Sequence, residues 1–207
     1  MKYADVKFGF VEAVLNKLGG VSGAERFLRG EITVSEPARS WIEKDGVIYL
    51  SLTSNGMTGP EWIAHFEKKG DLVGYYAKQL LCRRDFRPTN GVTYQVAVIK
   101  GMVYNDRDLN AYNIRKDADG RKLSKPNTEI ACLIRDKFMD AEIEAMGLIW
   151  IITMHESIND SAGRPSLLSA GRGDGGRCLG TDYDGTGHQW HRGSGFAFVV
   201  SQVSAQS

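Results

Sequence analysis

The side chains best suited to chemistry are concentrated in one glycine-rich stretch, residues 171–195, which reads GRGDGGRCLGTDYDGTGHQWHRGSG. Nine of its 25 residues are glycine, and it contains neither lysine nor glutamate, although both are frequent elsewhere in the chain. Its polar and aromatic side chains include metal ligands, general bases and hydrogen-bonding groups. The candidate contact residues are Arg172, Asp174, Arg177, Cys178, Thr181, Asp182, Tyr183, Asp184, His188, His191, Arg192 and Ser194.

Zinc binding is the first chemistry that these residues could support. Cys178, His188 and His191 are ligand types that zinc prefers, and His155 follows an apolar run upstream. The paired-cysteine spacing of structural zinc sites is absent, however, and histidines in polar loops are usually solvated. We therefore predict no metal and no cofactor, and a zinc-dependent enzyme that uses these four residues is the alternative.

Other catalytic and metal-binding patterns in the stretch are incomplete. Asp182-Tyr183-Asp184-Gly185 looks like half of a calcium loop, but no glutamate follows at the EF-hand spacing, so bound calcium stays an open question. Ser194 lies between two glycines without the full Gly-x-Ser-x-Gly sequence of a nucleophile elbow. We therefore predict that the protein is not an enzyme.

Ligand binding is the function that the composition favours. Tyrosine, tryptophan and arginine provide large contacts and directional donors, while glycine and serine let the backbone adapt. Leu179, Trp190 and the neighbouring Phe196 are apolar, and we predict that they anchor the stretch to the core. Only Gln189 and Trp190 fall outside the residue types that NNC codons encode, which is the pattern that adenine-directed mutagenesis of AAC codons would leave.

The first part of the chain is predicted to be a small α/β module, residues 1–88. Apolar residues at helical spacing over 4–18 predict a helix, and Ser22 to Glu25 forms the pattern of a capping box that opens a second helix. The run at 46–53 reads as a strand, and Asp71 is positioned to cap a helix that extends to Leu81. The charged segment from Arg83 to Pro88 reads as a linker.

The remaining residues, 89–207, are predicted to form a second domain. A strand at 92–99 precedes helical segments, and the nearly all-apolar run at 148–154 predicts a buried strand. A strand at 196–200 closes the domain. Because turn residues fill the segment before it, the sequence predicts a long irregular loop there, and loops of that length inside a domain are usually functional.

Composition sets limits on partners and location. The formal net charge of +1 gives no electrostatic case for nucleic acid, and the absence of an 18-residue apolar run argues against a membrane span. The N-terminal residues lack the small-residue cleavage site of a secretory signal, and the three cysteines are too few and too scattered for a disulfide framework. We therefore expect a cytoplasmic protein.

Residues 89–207 resemble the C-type-lectin-like fold, in the version shared by formylglycine-generating-type domains and the variable proteins of diversity-generating retroelements. Pro126-Asn127-Thr128-Glu129 is similar to the proline-led turn of that fold, and Trp190 with Gly195-Phe196-Ala197-Phe198 is similar to its closing tryptophan and Gly-Phe strand. The resemblance implies a rigid scaffold that displays mutable side chains, binds an unknown protein or small molecule, and performs no catalysis. It places the mutable positions between Leu167 and Val200.

These observations together predict an α+β protein: a small N-terminal α/β module followed by a C-type-lectin-like domain with a long irregular ligand-binding loop. A structural assembly protein, in which residues 171–195 are only a tolerant surface, is a further alternative.

Overall fold

A computed structural model describes residues 7–33, 39–173 and 175–200. Helix accounts for 36% and strand for 32% of the structure, so the protein belongs to the mixed α+β class that the sequence predicts. The chain divides into two compact units, Met1–Arg39 and Ser40–Ser207.

The smaller unit is a helical hairpin in its described residues, 7–33. Helix α1 spans Phe8–Leu18 and helix α2 spans Gly20–Leu28. The chain reverses at Gly19, whose left-handed φ of 89° is a conformation that glycine adopts without strain. Because α2 begins directly after this glycine and has no side-chain cap, the prediction that Ser22 opens it is wrong.

The larger unit is built on one sheet, which contains ten strands within the described residues. They are β1 Trp41–Lys44, β2 Val47–Asn55, β3 Leu72–Val73, β4 Asn90–Lys100, β5 Leu123–Ser124, β6 Trp150–Thr153, β7 Ile158–Asn159, β8 Pro165–Gly173, β9 Gly176–Tyr183 and β10 Ser194–Val200. The main path of the sheet is β1-β2-β4-β10-β6-β8-β9-β3, while β5 pairs with β10 and β7 with β8. Two pairs are parallel, β6 with β10 and β3 with β9.

The pairing of β2 with β4 corrects the predicted domain boundary. The antiparallel register of these two strands runs from Val47 opposite Ile99 to Asn55 opposite Asn90. A boundary at residue 88 would separate these hydrogen-bonded neighbours, so the division into 1–88 and 89–207 is wrong, and the two units instead meet at Arg39 and Ser40. The charged segment 83–88 reads as a linker, but its one aromatic residue, Phe86, is buried in the core.

Helices lie against both faces of the sheet. Their bounds are α3 Gly59–Lys68, α4 Tyr75–Leu81, α5 Ala111–Gly120, α6 Glu129–Lys137 and α7 Asp140–Ala145, with short 3₁₀ turns at Gly101–Val103 and Asp106–Asp108. We call the side that packs against α3, α4, α6 and α7 the helical face, and the side that packs against α5 the α5 face. No helix in the described parts of the chain combines the length and apolar character needed to cross a membrane.

Each face has its own apolar core. On the helical face, Trp62 and Phe66 of α3 and Ile134 of α6 pack against strand residues such as Leu168 and Leu179. On the α5 face, the core comprises Val47, Ala97, Ile99, Leu109, Ile114, Ala118, Ile152, Met154, Leu167, Trp190, Phe196 and Phe198. All three predicted anchors, Leu179, Trp190 and Phe196, are therefore buried.

The predicted long irregular loop is mostly a β-hairpin, so that part of the prediction is wrong. β8 and β9 pair from Ser166 opposite Tyr183 to Gly173 opposite Gly176, and irregular chain is limited to the loop between Tyr183 and Ser194, residues 184–193. The dipeptide Asp174-Gly175 between the strands is a recognised hairpin signal in a sequence, although Asp174 itself lies outside the described residues. The neighbouring glycines obscured that signal, because a run of glycines is also typical of turns and irregular loops.

Candidate ligand-binding surface

A half-exposed tryptophan lies over a glycine of the hairpin. Trp150 of β6 is the direct neighbour of Gly171 on β8, and its indole ring occupies the space where a side chain at 171 would be. A Cβ atom added to Gly171 would lie 2.4 Å from Cε3 of Trp150 and 2.6 Å from the carbonyl oxygen of Ile149. Glycine inside a strand commonly marks such a close approach. The position of the indole ring therefore explains why residue 171 of β8 is a glycine.

Successive side chains of β9 point to opposite faces of the sheet, so the predicted contact residues Cys178, Thr181 and Asp182 do not all lie on one face. Cys178 and Asp182 pair with Gly171 and Leu167, which belong to the α5 face, so they lie on the same face as Trp150. Gly180 lies between them, and its added Cβ would be 3.5 Å from the ring of Trp150. Thr181 lies on the opposite, helical face.

We define the Trp150 surface as the side chains of Trp150, Cys178 and Asp182 together with the floor formed by Gly171 and Gly180. Cys178 and Asp182 belong to the glycine-rich stretch, whereas Trp150 lies outside it. Sequence reasoning missed Trp150 because the run 148–154 reads as uniformly buried. The available signal was one tryptophan among aliphatic residues, since tryptophan is often partly exposed where it contacts a ligand.

Electrostatics at this surface centre on Asp182. Burial raises the pKa of this carboxyl above its ordinary value, while the nearby Ser169 hydroxyl and His188 ring act in the opposite direction. Burial also raises the pKa of the Cys178 thiol. A thiol with a raised pKa is a weak nucleophile, because the thiolate is the reactive form. The surface therefore fits recognition better than covalent catalysis.

The loop 184–193 is held by a row of four aromatic rings that leads from the surface into the core. The ring of Tyr183 meets that of His188 edge-on at 5.7 Å, His188 meets Trp190 at 4.6 Å, and Trp190 meets Phe196 at 5.8 Å between centroids. Tyr183 is exposed, His188 is partly exposed, and the other two are buried. Successive edge-to-face contacts of this kind are each favourable. The row therefore holds the ring of His188 between those of Tyr183 and Trp190, close to Asp182.

Arg177 is a structural residue, so its assignment as a contact residue is wrong. Its Nε donates to Oδ1 of Asp71 at 2.8 Å, and its Nη2 donates to the carbonyl oxygen of Arg135 at 2.7 Å. Asp71 was expected to cap a helix, but Leu72–Val73 forms β3 instead and α4 begins only at Tyr75. The carboxylate of Asp71 is thus paired with the guanidinium group of Arg177 on β9.

A buried arginine extends this network. Arg135 of α6 is fully buried, donates to the carbonyl oxygens of Gly171 and Phe138, and lies 3.0 Å from the carboxylate of Asp140. Burial lowers the pKa of Arg135, and the nearby charge of Arg177 lowers it further. The hairpin is therefore fastened to α6 and α7 by charged hydrogen bonds as well as by apolar packing.

Asp184 and Ser194 are also buried, which corrects their assignment as contact residues. The Asp184 side chain is 3% exposed and accepts hydrogen bonds from Arg115 at 2.6 Å and from the Ser157 hydroxyl. Ser194 begins β10 and pairs with Trp150 inside the sheet. Both positions support the fold, because each would leave a gap or an unpaired partner if it were changed.

The other predicted contact residues lie at the surface in separate places. Arg172 reaches from the helical face toward Glu144 of α7, 3.6 Å away. Arg192 donates to Asp106 and to the carbonyl oxygen of Met102, and the exposed His191 accepts from the backbone nitrogen of Gly193. The structure therefore places Cys178 and Asp182 on the same face as Trp150. His188 is close enough to Asp182 to affect its pKa, and its ring contacts that of Tyr183.

An open pocket adjoins the loop on its other side. It has a volume of about 800 Å³ and is formed by one side of α5, from Ala111 to Asp119, and by loop residues 184–187 and Gln189. Arg115, Lys116 and Asp119 give its α5 wall both signs of charge. A ligand in this pocket would contact the loop and a helix outside the glycine-rich stretch.

The geometry of His155 speaks against the zinc-enzyme alternative. Its Nδ1 is 2.7 Å from the carbonyl oxygen of Glu156, and its Nε2 accepts from the backbone nitrogen of Leu168 at 2.9 Å. Both ring nitrogens are thus occupied, and burial lowers the pKa of this imidazole to about 4. Among the described residues, no group of three or more His, Cys, Asp or Glu side chains is arranged to hold a metal ion.

In comparisons with known proteins, no protein-family model, curated protein or solved structure matches this chain. The resemblance of residues 89–207 to the C-type-lectin-like fold therefore stays a prediction.

Proposed function

We propose that the protein is a ligand-binding protein, that the Trp150 surface with His188 and Tyr183 is its contact area, and that a retroelement diversifies the polar positions of this area. The ligand is a protein or a small molecule. The observation that carries the proposal is the separation of roles within residues 171–195. Leu179, Trp190 and Ser194 are buried, and the side chains of Arg177 and Asp184, 14% and 3% exposed, are held in ion pairs. Cys178, Asp182 and His188 are half-buried, and Tyr183 is exposed.

The surface has the properties that recognition requires. Tryptophan is a frequent hot-spot residue because it combines a large apolar area with one hydrogen-bond donor. A rigid backbone lowers the ordering cost of binding, and here the sheet and the aromatic row supply that rigidity. Exposed side chains on such a scaffold can change without loss of stability. The NNC-type composition of the stretch supports diversification at these positions.

The diversification is tested in the DNA around the gene. We expect a near-copy of the sequence that encodes residues 171–195, differing at adenines, beside a reverse transcriptase gene. Gene copies from separate clones should then differ at the codons for Cys178, Asp182 and His188 and agree at those for Leu179 and Trp190. A complete genome without such a copy, together with clones that are identical in this stretch, would overturn this part of the proposal.

The binding area is tested with two display libraries of the full chain. One library randomises Cys178, Asp182, Tyr183 and His188. The matched library randomises the same number of supporting positions, Arg177, Leu179, Asp184 and Trp190. We expect the first library to display folded protein and to yield binders to an arbitrary protein target, and these binders to lose affinity on Trp150→Ala. Equal loss of folded display in both libraries would contradict the separation of roles.

A further inference from the structure

We propose that the N-terminal hairpin associates with the hairpin of a second copy of this chain, so that two chains are joined through α1 and α2. This inference goes beyond the proposed function and does not depend on it. It starts from the absence of an apolar core in the hairpin: no residue of α1 is buried, and Gly23 is the one buried residue of α2.

Helix α1 has one apolar side that nothing in the described hairpin covers. Phe8 is 83% exposed and Phe10 is 65% exposed, and Val11 and Val14 are each 41% exposed. Their spacing, continued by Leu15 and Leu18, puts them on one side of the helix, while Glu12, Ala13, Asn16 and Lys17 are on the other. An amphipathic helix of this kind gains its stability from burying the apolar side.

Helix α2 also exposes large apolar side chains. Val21, Phe27 and Leu28 are all exposed, and Leu28 is 82% exposed. The helices approach each other closely at Gly23, where an added Cβ would lie 1.6 Å from the carbonyl oxygen of Leu18. Near the turn, the contact between the helices is therefore made through backbone, and large apolar side chains of both helices stay exposed.

The exposed area is close to what one partner of a stable dimer buries. Each phenylalanine can bury about 150–250 Å², and the exposed parts of the three phenylalanines, three valines and one leucine add up to roughly 700 Å². A stable interface buries about 800 Å² on each partner. Two hairpins that meet by two-fold symmetry form a four-helix arrangement, in which each apolar side covers an identical one.

The charges of the hairpin favour a second copy over a membrane surface. Residues 7–33 carry four basic and three acidic side chains, so two hairpins do not repel each other strongly. Helices that lie on anionic membranes are instead rich in lysine and arginine on their polar side. A pair of chains would also carry two copies of the proposed ligand-binding surface, which increases binding to a repeated ligand without a new contact.

The first test is the mass of the full-length protein in solution, with a matched pair of variants. Sedimentation equilibrium is measured from about 1 µM to about 100 µM, the range in which an interface of this size is expected to associate. We expect twice the 22.9 kDa mass of one chain. Val14→Asp should weaken association by about 100-fold, because it buries a charge in the interface. Ala13→Asp, the same addition on the polar side, should associate like the wild type.

The second test identifies what the hairpin contacts and does not depend on the Val14 variant folding. A photoreactive phenylalanine analogue replaces Phe10 in a mixture of isotopically light and heavy full-length chains. Cross-linked peptides that join a light hairpin to a heavy hairpin support the proposal. Cross-links confined to residues 40–207 of the same chain overturn it. A monomer at every concentration, association that Val14→Asp leaves unchanged, or a monomer that binds lipid vesicles through the hairpin also overturns it.

Discussion

Arg172 and Arg177 are direct partners across the β8–β9 hairpin, yet they have opposite roles. The side chain of Arg172 is 60% exposed and lies 3.6 Å from an exposed glutamate, whereas that of Arg177 is 14% exposed and bonded to Asp71 and to backbone carbonyl groups. The two arginines of this stretch thus differ in role because Arg177 is paired with a nearly buried carboxylate, whereas Arg172 lies near an exposed one.

Arg177→Ala is therefore expected to destabilise the protein far more than Arg172→Ala. Removing Arg177 leaves the nearly buried carboxylate of Asp71 without its cation, which should lower the free energy of unfolding by about 3 kcal/mol. Removing Arg172 breaks one exposed ion pair, so the change should be about 0.5 kcal/mol or less. Urea denaturation of both variants measures the difference. Similar losses in the two variants would show that the Asp71–Arg177 pair does not fasten the hairpin.

Gly171→Ala tests the contact between the hairpin and Trp150. The added methyl group meets both the indole ring and the Ile149 carbonyl group, so this variant should lose about 1–3 kcal/mol of stability. Gly173→Ala is the control, since its added Cβ has Cys178 Cβ at 3.8 Å as the nearest atom. Thermal melts should separate the two. A double-mutant cycle with Trp150→Ala isolates the contribution of the ring, and losses of stability that simply add would show that the indole ring does not resist the added methyl group.

The elements that the sequence predicts well are those whose cause is local. The strand predicted at 46–53 is one, since β2 spans Val47–Asn55. The strands 92–99 and 196–200 are another, because runs of β-branched and aromatic residues need no distant partner to be recognised. For these segments, the pattern of residues and the physical reason for the structure lie in the same few positions.

Other features were mispredicted because their cause lies far away in the sequence. A glycine is needed at position 171 of β8 because the ring of Trp150, on the neighbouring strand β6, occupies the space of a side chain there. Asp71 does not cap a helix because Arg177 takes its carboxylate. The anchors Leu179 and Trp190 could be recognised from hydrophobicity alone, whereas the charged supports Arg177 and Asp184 could not, since an arginine or aspartate in a polar stretch gives no sign of burial.

Trp190→Ala and His188→Ala separate anchor from surface within the aromatic row. Trp190 is buried against Phe196, so its truncation should cost about 3–5 kcal/mol and lower the melting temperature sharply. His188→Ala removes a partly exposed ring and should cost about 1 kcal/mol. Thermal unfolding followed by circular dichroism gives both values. Equal destabilisation would mean that the loop has no changeable positions, and that the row is one structural unit.

His155 gives the protein a defined dependence of stability on pH. The pKa of this imidazole is about 4 in the folded protein against an ordinary 6.5, mainly because burial disfavours its charged form. Above pH 6.5 the ring is neutral in both states. As the pH falls below that value, the unfolded chain takes up a proton that the folded protein does not accept until about pH 4. Stability is therefore lost progressively across this interval.

The loss attributable to His155 should be about 2 kcal/mol between pH 7 and pH 4.5. Burial raises the pKa of Glu129 and of Asp182, and these carboxyls change stability in the opposite direction, so the effect must be isolated by comparing variants. Urea unfolding across this range should show a shallower pH dependence for His155→Gln than for the wild type. His191→Gln, which changes an exposed histidine, should keep the slope of the wild type. Identical slopes in all three proteins would show that His155 takes up its proton at the same pH in the folded and unfolded states.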